Sequence, residues 1–164
     1  MLIVFAGAGA TFVGTPAVEP DLLLGIGLGG AHWRLRAQAI VGLPREITDG
    51  ASPWSARRWL GDLAFCWMPL WVGLCGGVQA GTFEVERRTP GVPWRETLPQ
   101  FSMVVRALFD QSIARRLRVW AAVDLTVQAV IPQVQAGDSG GAREQWSSDG
   151  LGLGAAAGAS LELF

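Results

Sequence analysis

Lysine and tyrosine are absent from the 164 residues, only 16% of positions carry a charge, and there is one histidine with two cysteines. The charged share lies well below the quarter typical of soluble domains. With 13 arginines against 14 acidic residues and a formal charge of −1, a nucleic-acid binder driven by bulk positive charge is excluded. One histidine and two cysteines are too few for a zinc site. Residues 1–18 contain no arginine, so they lack the basic opening of a secretory leader and read as structure. The leader of an exported form would lie outside these residues. The 22 glycines and 9 prolines sit badly in long helices.

What the chain has is 50% apolar residues and eight tryptophans, in a length that suits one domain over 1–164. One stretch, Leu63 to Phe83, runs 21 residues without a charge, enough for a transmembrane helix. Pro69 near its middle and Gly73, Gly76, Gly77 and Gly81 after it argue against that. Its apolar positions also repeat every second residue, the period of a strand.

The same period is clearest where charges are present. From Trp33 to Leu43 the odd residues are Trp, Leu, Ala, Ala, Val and Leu, while the even ones include Arg34, Arg36 and Gln38. From Leu117 to Ile131 the odd set is wholly apolar, against Arg118, Asp124, Thr126 and Gln128. The last 14 residues divide in the same way. This ruler predicts eight strands, near 2–14, 21–29, 32–44, 57–68, 71–86, 98–110, 117–131 and 150–164. Tight connections at Gly30-Ala31, 68–71 and 111–116 alternate with long ones at 45–56, 87–97 and 132–149. Short turns at one end and long loops at the other are the pattern of an all-β, antiparallel, up-and-down transmembrane barrel.

Hairpin arithmetic fixes the faces. A two-residue turn at Gly30-Ala31 sets Leu28 opposite Trp33 and Ile26 opposite Leu35, so the apolar faces coincide. In the next hairpin, residues summing to 141 pair, which sets Phe65 opposite Gly76, Asp62 opposite Gln79 and Cys66 opposite Cys75. A cross-strand disulfide fits that register, and two buried free thiols are the alternative.

Outward positions of the central band hold no charge. The inward set holds Arg34, Arg36, Arg58, Arg106 and Arg118 with Asp62, Asp110, Asp124 and Glu162. A water-soluble barrel would reverse this, whereas an outward charge at the bilayer midplane costs about 2–4 kcal/mol. The expectation is an interior ion-pair network serving as filling, since eight strands enclose only enough room for side chains. Trp33, Trp67 and Trp71 fall beside the tight turns, where an indole can sit at headgroup level. Trp54, Trp94 and Trp146 fall in the long connections and are expected to pack them together.

The segments GIGLGGAHWRLRAQAIVGLP, LAFCWMPLWVGLCGGVQAG, RRLRVWAAVDLTVQAVIP and GLGLGAAAGASLELF resemble the small eight-stranded outer-membrane barrels of Gram-negative bacteria. The likeness is to the OmpA-like and OmpX-like kind and, more closely, to the Arg- and Gly-rich outer-membrane barrels of myxobacteria. It covers nearly the whole chain and is architectural. It implies a monomer in the outer membrane with both termini in the periplasm. The implied partners are outer-membrane lipid and lipopolysaccharide, and during insertion the barrel-assembly machinery, which reads a C-terminal aromatic. Phe164 matches that residue, although it falls in phase with Ser160 and Glu162 and not with outward apolar positions.

No catalytic, cofactor or metal residues are expected. Barrel enzymes acting on lipopolysaccharide use a histidine at the outer rim, and His32 sits in a tight turn at the opposite end. The Gly-rich GIGLGG lies within a strand and not before a helix, so a phosphate-loop reading fails on context. The rival reading is a soluble lipocalin-like barrel binding an apolar small molecule, with the two faces interchanged.

Overall fold

The computed structural model describes residues 1–13, 19–47, 54–89, 92–130, 133–137, 143–147 and 150–163. For 13, 45–47, 54, 87–89, 92–94, 130, 133–137 and 143–147 it describes the backbone alone. Every regular element among them is a strand. These are β1 (Leu2–Val13), β2 (Glu19–Gly29), β3 (Trp33–Gly42), β4 (Arg45–Ile47), β5 (Trp54–Trp67), β6 (Val72–Thr89), β7 (Val92–Ser112), β8 (Leu117–Val130), β9 (Gln133–Gly137), β10 (Arg143–Ser147) and β11 (Leu151–Glu162).

Eight of these close into a barrel. β1 pairs with β2 on one side and β11 on the other, β3 joins β2 to β5, and the series runs on through β6, β7 and β8 to β11. All the pairings are antiparallel. Closure leaves no free edge in this wall, so the backbone N–H and C=O groups pair between neighbouring strands, interrupted by a bulge at Ala129 between β7 and β8. The charge-free Leu63–Phe83 stretch is the β5–β6 hairpin, with Pro69 in its turn.

Exposure along β2 shows which face is which. Leu22, Leu24, Ile26 and Leu28 are 52–63% exposed on the outside, while Asp21 and Leu23 are buried. Arginines, aspartates and glutamines occupy the buried face of β3, β5 and β7, and leucines, valines and tryptophans the exposed one. The interior also contains apolar residues: Phe5, Leu60, Leu108, Trp120 and Met68 pack between the charged groups.

Three expectations change. The turn between β2 and β3 centres on Ala31 and His32, closed by the Gly30 N–H donating to the Trp33 carbonyl at 3.0 Å. Leu28 therefore opposes Leu35 and Ile26 opposes Ala37. This slides the strands by two residues and leaves the faces unchanged, so alternation alone could not detect it.

Residues 87–89 and 92–97 are strand and not loop, because β6 and β7 stay paired from Val72↔Phe109 to Thr89↔Val92. β8 joins β7 only from Phe101↔Val130, so the end of this hairpin stands beyond the barrel. Likewise β4 pairs with the start of β5, and β9 with β10. Trp54, Trp94 and Trp146 thus lie in strands, and the expectation that their side chains pack loops together falls outside the described side chains.

Large and small residues complement one another across the lumen. Gly7 opposes Gly158 across β1 and β11, and Gly158 opposes Trp120 on β8. A Cβ at either glycine would lie within 3 Å of the Trp120 ring and of neighbouring backbone. Gly158→Val should therefore displace the indole and cost about 1–3 kcal/mol. Ala157→Val, on the outward face, should change stability by less than about 0.5 kcal/mol. Urea unfolding in detergent followed by tryptophan fluorescence measures both, and equal midpoints would contradict this packing.

Candidate functional site in the barrel interior

The charged residues meet in three groups along the axis. At mid-height Arg106 on β7 faces Asp124 on β8, its register partner. Nε and Nη2 donate to Asp124 Oδ1 and Oδ2 at 2.7 and 2.8 Å. The same guanidinium donates through Nη1 and Nη2 to Asp62 on β5 at 3.3 and 3.1 Å. Gln79, the register partner of Asp62, donates to its Oδ2 at 3.0 Å. One planar cation thus bridges two carboxylates, as a guanidinium fork allows.

Toward the tight turns, Arg34 pairs with Asp110, and Arg118 Nε donates to the same carboxylate at 2.6 Å. Glu162 is half-buried at this end and acts on Arg34 electrostatically. Toward the long connections, Arg58 Nε donates to Asp21 Oδ1 at 3.2 Å, and Thr11 Oγ1 donates to Asp21 Oδ2 at 2.8 Å. Glu19 stands 3.5 Å from Arg58.

Arg36 departs from the expected ion-pair scheme. Its guanidinium lies 4.0 Å from the Phe5 ring centroid and 4.8 Å from that of Trp120. The two rings meet edge to face at 5.9 Å. Cation–π attraction in a desolvated site therefore does for Arg36 what a carboxylate does for the others. Sequence reasoning also missed Asp21, although the inward odd-numbered glycines of β2 lead back through Leu23 to it. Thr11, Gln79 and Glu19 join on the same inner face.

Cys66 and Cys75 form the disulfide, buried inside the wall at the β5–β6 register pair. Trp33, Trp67 and Trp71 are 45%, 61% and 57% exposed beside the tight turns. Trp33 stacks on Phe65, and Trp71 meets Phe109 edge to face. Phe164 lies outside the described residues. His32 is exposed in its turn, where its carbonyl accepts from the Met68 N–H at 2.8 Å.

Two small cavities lie within the lumen. One of about 30 Å³ is lined by Asp21, Arg58, Gln79, Gln100, Asp124 and Thr126 among others. One of about 10 Å³ lies by Arg34, Arg36, Asp110, Trp120 and Ser160. Such volumes hold about one or two waters. Spaces of this size do not suit the apolar ligand of the lipocalin reading. Among the described residues no group of three or more His, Cys, Asp or Glu is placed to hold a metal ion.

No protein-family model matches the sequence, and no curated protein does. Solved structures do match the fold. Neisserial surface protein A superposes with a TM-score of 0.62 at 8% identity, over 99% of this chain and 97% of that one. A major outer membrane protein from Thermus thermophilus gives 0.65 at 14% identity, over 98% of each. Ail, the attachment invasion locus protein of Yersinia pestis, determined in complex with the heparin analogue sucrose octasulfate, gives 0.58 at 8% identity over 98% and 94%. The fold of this chain is that of the small eight-stranded outer-membrane β-barrels.

Proposed function

We propose that the protein is an integral outer-membrane barrel whose interior is a charge-paired, side-chain-filled core, with a structural or surface-interaction role and no open pore. One observation carries this reading: aliphatic and aromatic side chains cover the outside of the wall while six arginine and aspartate side chains of the predicted network are 8% exposed or less on the inside. Only a hydrocarbon surround makes that partition favourable. β2, β3 and β11, of 11, 10 and 12 residues, have the length a tilted strand needs to cross a bilayer.

The Trp33, Trp67 and Trp71 belt and the tight turns face the periplasm in this reading, and the long connections face outward. Beyond the wall the β6–β7 hairpin offers a projecting platform, and from Val92 to Gln100 one edge of β7 has no partner among the described residues. Pro93 and Pro99 interrupt that edge, which discourages strand addition by another chain. Contacts made there would therefore use side chains. Lipid and lipopolysaccharide are the surrounding partners, the barrel-assembly machinery acts at insertion, and the protein works as a monomer without enzymatic activity.

The protein should require detergent for solubility and migrate faster on gels unheated than boiled. A monodisperse sample without detergent at neutral pH would reject the membrane reading. Liposomes containing it should exclude small sugars as protein-free ones do, and swelling in sugar solutions would reject the filled interior.

Arg106→Ala leaves Asp62 and Asp124 buried without their shared cation. It should lower stability in detergent by about 3–5 kcal/mol. Combining it with Asp62→Asn and Asp124→Asn should recover much of the loss. Urea midpoints of the single and triple variants measure both, and a triple variant no more stable than the single one would contradict the pairing.

A further inference from the structure

On the outer surface a groove of about 690 Å³ crosses the strands from β2 to β6. Ala37, Ala39, Gly61 and Ala80 provide small side chains along it, between the larger Ile26 and Leu63. It is a shallow furrow open along its length and not an enclosed cleft. Elsewhere the same outward face carries Leu74, Met103, Val105, Leu125 and Leu153, each at least 45% exposed. The groove is thus a local depression in an otherwise knobbly belt.

Following β5 outward from the groove, the same face presents Gly61, then Trp59, then Arg57, at steps of about 6.6 Å. Trp59 is 43% exposed, and the Arg57 guanidinium lies 4.3 Å from its ring centroid. Arg57 Nε is buried from water and has no hydrogen-bond partner among the described residues. Glu84, the register partner of Arg57 on β6, is engaged by Arg95 Nη2 at 3.0 Å. An apolar furrow, an indole at its mouth and a guanidinium above it follow the order of a lipid: acyl chain, interfacial region, phosphate. Arginine is the side chain suited to phosphate oxygens, and tryptophan concentrates at the headgroup level.

We propose that this face is a binding site for one phosphorylated, multiply acylated lipid of the leaflet on the long-connection side, the lipid A part of lipopolysaccharide. One acyl chain lies along Gly61, Ala39 and Ala37, and a phosphate meets Arg57. The proposal rests on the membrane reading above and names the lipid contact within it.

Gly61 offers a clean probe, since a Cβ there would meet only the Ala80 carbonyl oxygen, at 3.7 Å. The Gly61→Leu side chain can therefore occupy the groove without disturbing the wall. Detergent-purified protein would be titrated with bis-phosphorylated lipid A and, separately, with phosphatidylcholine, and bound lipid counted by native mass spectrometry. Wild type should retain one lipid A, and Arg57→Gln and Gly61→Leu should each weaken retention roughly tenfold. Phosphatidylcholine should bind more weakly and be indifferent to Arg57→Gln. Heat-dependent gel mobility checks that each variant is folded, with Ala39→Leu replacing Gly61→Leu should the latter fail to fold.

Lipid A held by either folded variant as tightly as by wild type overturns the proposal. So does a species of twice the chain mass that Gly61→Leu abolishes, because the groove would then belong to a second copy. A wild type that needs no detergent would instead defeat the membrane reading itself.

Discussion

A guanidinium cannot be left in hydrocarbon without a cost of about 2–4 kcal/mol at mid-depth, and the rest of this barrel follows from where its arginines are put. Five of them point to the axis, and once inside they must be matched. Arg106 takes two carboxylates, Arg58 takes Asp21 with Glu19 nearby, Arg34 and Arg118 share Asp110, and Arg36 lies against two aromatic rings. A buried ion pair contributes little net stability by itself, but an unmatched buried charge is severely destabilising. The network therefore dictates the sequence of the inner face more strongly than it stabilises the fold.

Accommodating long ionic side chains and an indole in an eight-stranded lumen requires that other positions be nearly empty. That is the role of the inward glycines Gly7 and Gly9 on β1 and Gly152, Gly154 and Gly158 on β11, where Gly7 and Gly158 leave the space filled by Trp120. The wall is thus uneven by design, with bulk donated from β3, β7, β8 and the Ile3–Phe5 end of β1, and space donated from the glycines of β1 and β11. Among the described residues, cavities of about 30 and 10 Å³ lie at either end of the Arg106 group.

Much of this could be read from alternation. In the stretches around Arg34 to Gln38 and Arg118 to Gln128 one face must be apolar and the other holds charge, so strand and orientation emerge together. The β5–β6 register was equally legible, because Cys66 and Cys75 fall opposite each other only when Asp62 also meets Gln79. Legibility failed where the two faces do not differ. On β7, Arg95 and Thr97 on one side and Glu96 and Gln100 on the other are all polar, and the 87–97 stretch read as a loop. The slide of β2 against β3 preserves every face and so leaves no mark in the pattern. The aromatic seat of Arg36 joins β3 to β1 and β8, a contact across the lumen that no single-strand period encodes.

The charged clusters have a mechanical side as well. Backbone ladders connect each strand only to its immediate neighbours, and a ring linked that way can be squeezed into an oval. Arg106 with Asp62 spans from β7 to β5, Arg58 with Asp21 from β5 to β2, and Arg34 with Asp110 from β3 to β7. Each skips at least one intervening strand, so the three act as cross-struts at different heights. A cylinder braced in this way keeps a round section under sideways pressure.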